Sequence, residues 1–178
     1  TDLTVGIPNV SLDDVATTKG TANFMIRGLG INSSIPSIDP TVGIFIDGVY
    51  LGNTNGVMMD VFDLERIEVL RGPQGTLFGR NVTGGAVLIN HKKAPEEFEF
   101  TARAGVDGNP NGDGGLNYIA MASVGGPISE TLRVKLTGYY NHDEGWLVNA
   151  FDGENAWGNR QKTIRPALVW TPTDTLEV

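Results

Sequence analysis

The sequence predicts a small α+β unit followed by antiparallel β strands of an incomplete transmembrane β-barrel. Three observations carry that expectation. Glycine supplies 24 of the 178 residues, nearly twice the usual share of ~7%, which asks for turns and close backbone approaches rather than long helices. Through residue 95, short apolar runs alternate with irregular polar loops. From residue 97 onward, apolar side chains fall at every second position, and the connections are alternately long and short.

In the first part, apolar runs at 24–27, 43–50, 66–70 and 85–90 read as short strands. Within the second run, Asp47-Gly48 separates Ile44-Phe45-Ile46 from Val49-Tyr50-Leu51, and Asp-Gly is the favoured dipeptide of a two-residue hairpin turn. A helical turn is expected over 74–78, because Pro73 suits a first helical position and Gly79 suits an exit. The charged junction Lys92-Lys93-Ala94-Pro95-Glu96-Glu97 then separates residues 1–95 from 96–178.

In the second part, Phe98, Phe100, Ala102, Ala104 and Val106 share one strand face, while Glu99, Thr101 and Arg103 take the other. Leu116, Tyr118, Ala120, Ala122 and Val124 alternate in the same way with Asn117, Ile119, Met121 and Ser123. Leu132, Val134, Leu136, Gly138 and Tyr140 repeat the arrangement against Thr131, Arg133, Lys135 and Thr137. A fourth strand is expected over 164–170, at an edge or a bulge because Pro166 removes a ladder donor, and a fifth begins at Leu176.

The connections are a polar loop at 107–115, a tight Gly-Gly-Pro turn at 125–130, a long loop at 141–162 and a short one at 171–174. Short turns on one side and long loops on the other are the layout of an outer-membrane barrel. At ~10 residues per strand the second part holds roughly four strands, against about 22 in a closed, plugged transporter, so the chain is expected to be a fragment.

Composition removes several function classes. A formal charge of −8 with scattered Lys and Arg repels a phosphate backbone, so no nucleic-acid partner is expected. With no cysteine there are no disulfides and no thiolate chemistry. No run approaches the ~20 apolar residues of a spanning helix, so any crossing of a membrane is by strands. An export signal is expected upstream of Thr1 or already removed.

The glycine-rich segment is not a P-loop, since Gly79 is followed by Arg80-Asn81 rather than by lysine and a hydroxyl residue. Asp60, Asp63, Glu65 and Glu68 carry no catalytic context and read as a solvated or lumen-facing charge set. His91 and His142 lack ligand-like spacing, so no metal site and no cofactor are expected. Without a nucleophile motif either, no enzymatic activity is expected.

One segment is more specific than any of these. EVLRGPQGTLFGRNVTGGAV (residues 68–87) runs from an apolar strand through a glycine-punctuated turn into a second strand. Ile26-Arg27-Gly28, VGIFIDGVY (42–50) and DLERI (63–67) precede it, and a strand ending at His91-Lys92-Lys93-Ala94-Pro95 follows. This ordered set resembles the plug domain of TonB-dependent outer-membrane receptors, which implies a plug over 1–95 and the first barrel strands over 96–178. The energy-coupling TonB box and the first plug strand are then expected upstream of Thr1.

The resemblance also implies roles. Gly72, Pro73, Gly75, Gly79, Gly84 and Gly85 form the signature turn of the plug, with glycines serving backbone packing. Arg27 and Arg71, together with Glu68, form the plug's side of a lock to the barrel wall, where the arginines face carboxylates. On residue type alone, the surface reading of the two arginines, at strand ends, is the favoured one.

Asn32, Ser33, Ser34, Asn53 and Asn55 lie in loops that resemble the plug's outward-facing apex, and they are candidate substrate contacts. Trp146, Phe151 and Trp157 in the long loop are further candidates for stacking on a cargo, or else are the loop's own packing core. The implied function is ligand-gated import of a ferric siderophore or similar bulky nutrient across the bacterial outer membrane. Its partners are TonB with its inner-membrane motor, outer-membrane lipid and the cargo itself. A soluble or secreted β-rich ligand-binding module is the alternative, and partition between detergent and buffer separates the two.

Overall fold

The computed structural model describes residues 7–14, 22–30, 38–52, 62–108, 114–145, 147–173 and 176. The chain divides into two compact units, Thr1–His91 and Lys92–Val178.

In the first unit, β1 (Val10–Asp14) pairs antiparallel with β2 (Ala22–Ile26). A second sheet holds β3 (Val42–Ile46), β4 (Val49–Leu51), β5 (Leu64–Arg71) and β6 (Gly85–His91) in the order β4-β3-β6-β5, and α1 (Gly75–Phe78) lies between β5 and β6. Strands β3 and β6 run parallel, and the other pairs are antiparallel. Asp47 and Gly48 have φ of 49° and 82°, the two positive values that a type I′ hairpin needs.

Strand β6 is central and covered on both faces, which explains its continuous apolar run. On one face Val87 and Ile89 join Val42 and Ile44, and Val10, Phe24 and Ile26 of the small sheet close over them. On the other, Ala86 meets Phe45 and Val82, with Phe78 of α1 and Tyr50 beside them. The Phe45 ring lies 4.8 Å from that of Phe78 and 5.4 Å from that of Tyr50.

Strand β1 was not legible in the sequence. Its five residues, Val-Ser-Leu-Asp-Asp, offer two apolar positions. The strand is held because Val10 is buried in the shared core and Leu12 packs against it.

The second unit is an antiparallel sheet in the order β12-β9-β8-β7, from β7 (Glu99–Asp107), β8 (Asn117–Ser129), β9 (Leu132–Asp143) and β12 (Asn159–Trp170). Between β9 and β12, β10 (Leu147–Val148) pairs with β11 (Asn155–Ala156). Thr173 and Leu176 form an isolated bridge where a fifth strand was expected to begin.

Two connections differ from the sequence reading. Strand β8 runs straight through Gly125-Gly126-Pro127, and the turn falls at Glu130-Thr131 instead. The glycines are there for close approach: a Cβ on Gly125 would lie 2.9 Å from Pro95 Cδ, and one on Gly126 would lie 3.1 Å from Phe98 Cα. Pro127 lies beyond the last β7 pair and beside a register shift, where its missing N–H is tolerated.

The long loop is also shorter than expected, because the flanking strands extend to Asp143 and from Asn159. Their added residues are polar. Ladder hydrogen bonds do not require an apolar face, so periodicity could not register them. Pro166 sits opposite Leu136 in β12, an edge strand of the described sheet, as its ring chemistry predicts.

Burial in this sheet is inverted relative to a sheet that rests on an apolar core. Thr137 is 3% exposed and its neighbour Leu136 is 50% exposed. Ser123, Lys135 and Asp143 are buried, while Phe100, Val106, Ile164 and Leu168 stand in the open. Ser123 Oγ and Thr137 Oγ1 are 3.1 Å apart on the polar face. The segment 92–96 also lies on that face: Lys135 Nζ donates to the Lys92 carbonyl at 3.5 Å, Arg133 bonds Glu96 at 3.4 Å, and Ala94 is buried.

Candidate functional site

The glycine-punctuated turn is a closed loop pinned at its neck. Gly72 N–H donates to the Gly84 carbonyl at 3.0 Å, and Gln74 N–H donates to the Val82 carbonyl at 3.0 Å. Gly84 N–H reaches across to the Thr41 carbonyl at 2.8 Å, which ties the loop to the entry of β3. Gly84 and Gly85 have no room for a side chain. A Cβ would stand 2.9 Å from Leu29 Cβ at Gly84; at Gly85 it would strike the Leu70 carbonyl oxygen and lie 2.7 Å from Ile26 Cδ1.

The remaining signature glycines divide. Gly72 and Gly79 take positive φ, whereas Gly75 has no atom within 4 Å of its would-be Cβ. Pro73 is not the first helical residue, contrary to expectation, because the helix starts at Gly75 with Gln74 as N-cap. Gln74 spends its N–H on Val82, which holds it outside helical geometry at φ −119° and ψ 15°.

Arg27 and Arg71 are both exposed, and both lie beside the segment that enters β1. Arg27 and Gly28, at φ 53° and 78°, form a tight turn closed by paired bonds between Ile26 and Leu29, and Arg27 N–H donates to the Asn9 carbonyl at 2.9 Å. Arg71 ends β5, and its guanidinium reaches the Pro8 carbonyl at 3.4 Å. The fold therefore brings two arginines, 44 positions apart in sequence, to adjacent residues at one end of the unit.

Glu68 is not brought to that cluster. Three residues from Arg71 on the same strand, it projects from the opposite face and accepts a bond from Arg66 Nε. Arg66 also contacts Glu65 at 2.9 Å, and its pKa is raised by Glu68 first and Glu65 second. These acids are thus bound up in an exposed ion-pair set. Asp63 ends the turn into β5 at φ 68°, and Asp60 lies outside the described residues.

Sequence reasoning read Asp47 only as a turn residue, yet its carboxylate has a second task. It accepts the His91 N–H at 2.9 Å and lies 2.7 Å from His91 Nδ1, so the hairpin tip is fastened to the last residue of the first unit. Nothing in the spacing of two residues 44 positions apart announces this pairing.

In the second unit, the register aligns Tyr118, His142 and Arg160 in one cross-strand row and Ala120, Tyr140 and Lys162 in the next. Both rows lie on the apolar face with Val124, Leu136, Ile164 and Leu168, and Trp170 ends that face at the opposite edge. From Ile164 to Trp170 the apolar residues of this strand face cover about 20 Å, or about 15 Å of height at a tilt of ~40°, and Arg160 and Lys162 lie beyond them. Aromatic residues thus bound the greasy zone at both rims.

Residues 1–86 match the family model of the TonB-dependent receptor plug domain. The chain is 28% identical over 136 residues to the pesticin receptor of Yersinia pestis, covering 76% of this chain and 19% of that receptor. It is 30% identical over 142 residues to the ferric enterobactin receptor of Pseudomonas aeruginosa, covering 71% of this chain and 19% of that one. The chain belongs to the TonB-dependent receptors. Their fold recurs in the crystal structure of the ferric yersiniabactin uptake receptor of Y. pestis, with a TM-score of 0.78 at 23% identity over 97% of this chain and 26% of that one. The chain spans about a fifth of the length of the receptors it matches.

Of the TonB-dependent receptor loops expected to meet cargo, Asn32, Ser33, Ser34, Asn53, Asn55 and Trp146 lie outside the described residues. Trp157 is about half exposed at φ 65°, beside β11, and Phe151 at the hairpin tip is 97% exposed. That tip is ordered by Asn149 and Asp152, which cap the N–H groups of Phe151 and Glu154 at 3.0 Å. Gly115 N–H to the Gly145 carbonyl at 2.6 Å joins the two long loops of the sheet.

Proposed function

We propose that this chain is the plug, over 1–95, and the opening barrel strands, from 96, of an outer-membrane receptor for ligand-gated import of a ferric siderophore or similarly bulky nutrient. The observation that carries this reading is the sheet of the second unit, which turns its apolar face outward and its polar face toward the side where 92–96 lies. A soluble binding module would expose the opposite faces. The siderophore receptors among its relatives support the cargo class.

In this reading cargo binds at the plug apex and the outer loops, including Trp157 and the segments around Asn32, Ser33, Ser34, Asn53, Asn55 and Trp146. TonB and its inner-membrane motor then open a path past the plug, and no catalytic step or nucleic-acid partner is involved. The bound cargo must favour one plug state over the other by its differential affinity, since equal affinity would transmit nothing. Arg27 and Arg71 seat the plug against carboxylates of the barrel wall, with Glu68 bracing the neighbouring strand through Arg66.

Deleting the gene in iron-starved cells is expected to abolish uptake of one radiolabelled ferric chelate. A protonophore is expected to have the same effect on the intact receptor. Unaltered uptake of a panel of ferric chelates in the deletion strain excludes the import role.

A further inference from the structure

We propose that Asn81 is a positioning residue for cargo capture: its side-chain amide holds together Asp39 and Tyr50, the roots of the two segments that carry Asn32, Ser33, Ser34, Asn53 and Asn55. The inference rests on the import reading above, which makes those segments cargo contacts. Its own evidence lies within the first unit. Strands β3 and β6 run parallel from one end of their sheet, and β4 returns antiparallel to that same end. Asp47 and His91 meet at the other.

At the first end, three segments remote in sequence meet on one amide. Asn81 Nδ2 donates to Tyr50 Oη at 2.9 Å and to Asp39 Oδ1 at 3.2 Å. Asp39 follows the segment of Asn32, Ser33 and Ser34 and leads into β3, while Tyr50 lies in β4 just before the segment of Asn53 and Asn55. An amide NH₂ has two hydrogens, and a carboxylate can only accept, so both hydrogens of Asn81 are committed here.

The amide is mounted on a rigid base. Val82, the next residue, is 1% exposed, and the Tyr50 ring packs beside it against Phe45. Asn81 itself takes φ 66°, a left-handed conformation that asparagine tolerates better than most residues. Asp39 is exposed, and the bond from Asn81 is a charge-assisted tie that brings it to this base. The signature turn does not need Asn81 for closure, because the pairs Gly72–Gly84 and Gln74–Val82 already close it. Both donors of the side chain leave their own loop for the roots of two others, which makes the role one of placement.

The full receptor is compared with Asn81→Gly, which keeps the left-handed backbone and removes only the amide, and with Tyr50→Phe, which keeps the ring and removes only the hydroxyl. The probe is the ferric chelate whose uptake the deletion strain loses. Asn81→Gly is expected to raise its Kd and the uptake KM about tenfold, the effect of losing a hydrogen bond to a charged group, with the maximal uptake rate unchanged. Hydrogen exchange is expected to quicken at 38–41 and 49–52 and to stay as in the parent across β5 and β6. Tyr50→Phe is expected to show part of the Kd change and to add nothing to Asn81→Gly in the double variant. Thr83→Ala, an exposed side chain in the same turn, is expected to match the parent. Parent-like Kd or parent-like exchange in Asn81→Gly overturns the role, and so does exchange quickened throughout β5 and β6, which marks a residue of general stability. A parent receptor that binds none of the chelates overturns the import reading itself, an outcome distinct from these.

Discussion

Gly85 shows how strictly single positions are specified in the plug. Its missing side chain lets β6 lie against the Leu70 carbonyl and Ile26, so Gly85→Ala is expected to cost about 3 kcal/mol of unit stability. Gly75, with open space around it, is the contrasting case: Gly75→Ala is expected to change stability by no more than about 0.5 kcal/mol. Urea midpoints of the two variants compare them directly, and equal losses would refute the steric argument. Asp47 tests a different physics. Replacing it by alanine removes both acceptors that hold His91, at about 1 kcal/mol after allowance for its exposure to solvent. Asp47→Asn is expected to lose much less, because asparagine suits the positive φ and keeps one acceptor.

At the scale of elements, the sheet from β7 to β12 is defined by which face it offers to what. Leu136 lies midway between Trp170 and the Tyr140 row on the apolar face, so Leu136→Arg is expected to destabilise vesicle-inserted receptor by about 2–4 kcal/mol. Folding equilibria in vesicles measure this, and an unperturbed variant would mean that the face meets water. The period-two pattern made four strands legible, including the faces of β8 and β9. It missed the extensions through 125–129, 141–143 and 159–163, where glycine or polar residues carry the ladder. It also missed β1, β10 and β11, whose two to five residues contain too few periods to count.

At the scale of the whole molecule, the two arginines beside Pro8 and Asn9 are the proposed lock between plug and barrel wall. Enclosed by a closed barrel, a guanidinium stays charged and needs a carboxylate, and losing one member of such a pair costs about 3–5 kcal/mol. Arg71→Ala in the full receptor is therefore expected to lower uptake and to speed hydrogen exchange across the plug; unchanged values of both would rule out a locking role. The sequence by itself determined the hairpin at Asp47-Gly48, the helical turn before Gly79 and the alternating faces, because each depends on local backbone preference or a fixed side-chain period. Only the tertiary structure decided that Gly84 and Gly85 are steric necessities, that Glu68 turns away from Arg71, that Asp47 fastens His91, and that Arg160 bonds His142 on the apolar face. Those outcomes depend on residues distant in the chain meeting through strand register, and register is set by the packing of whole strands rather than by any short window of sequence.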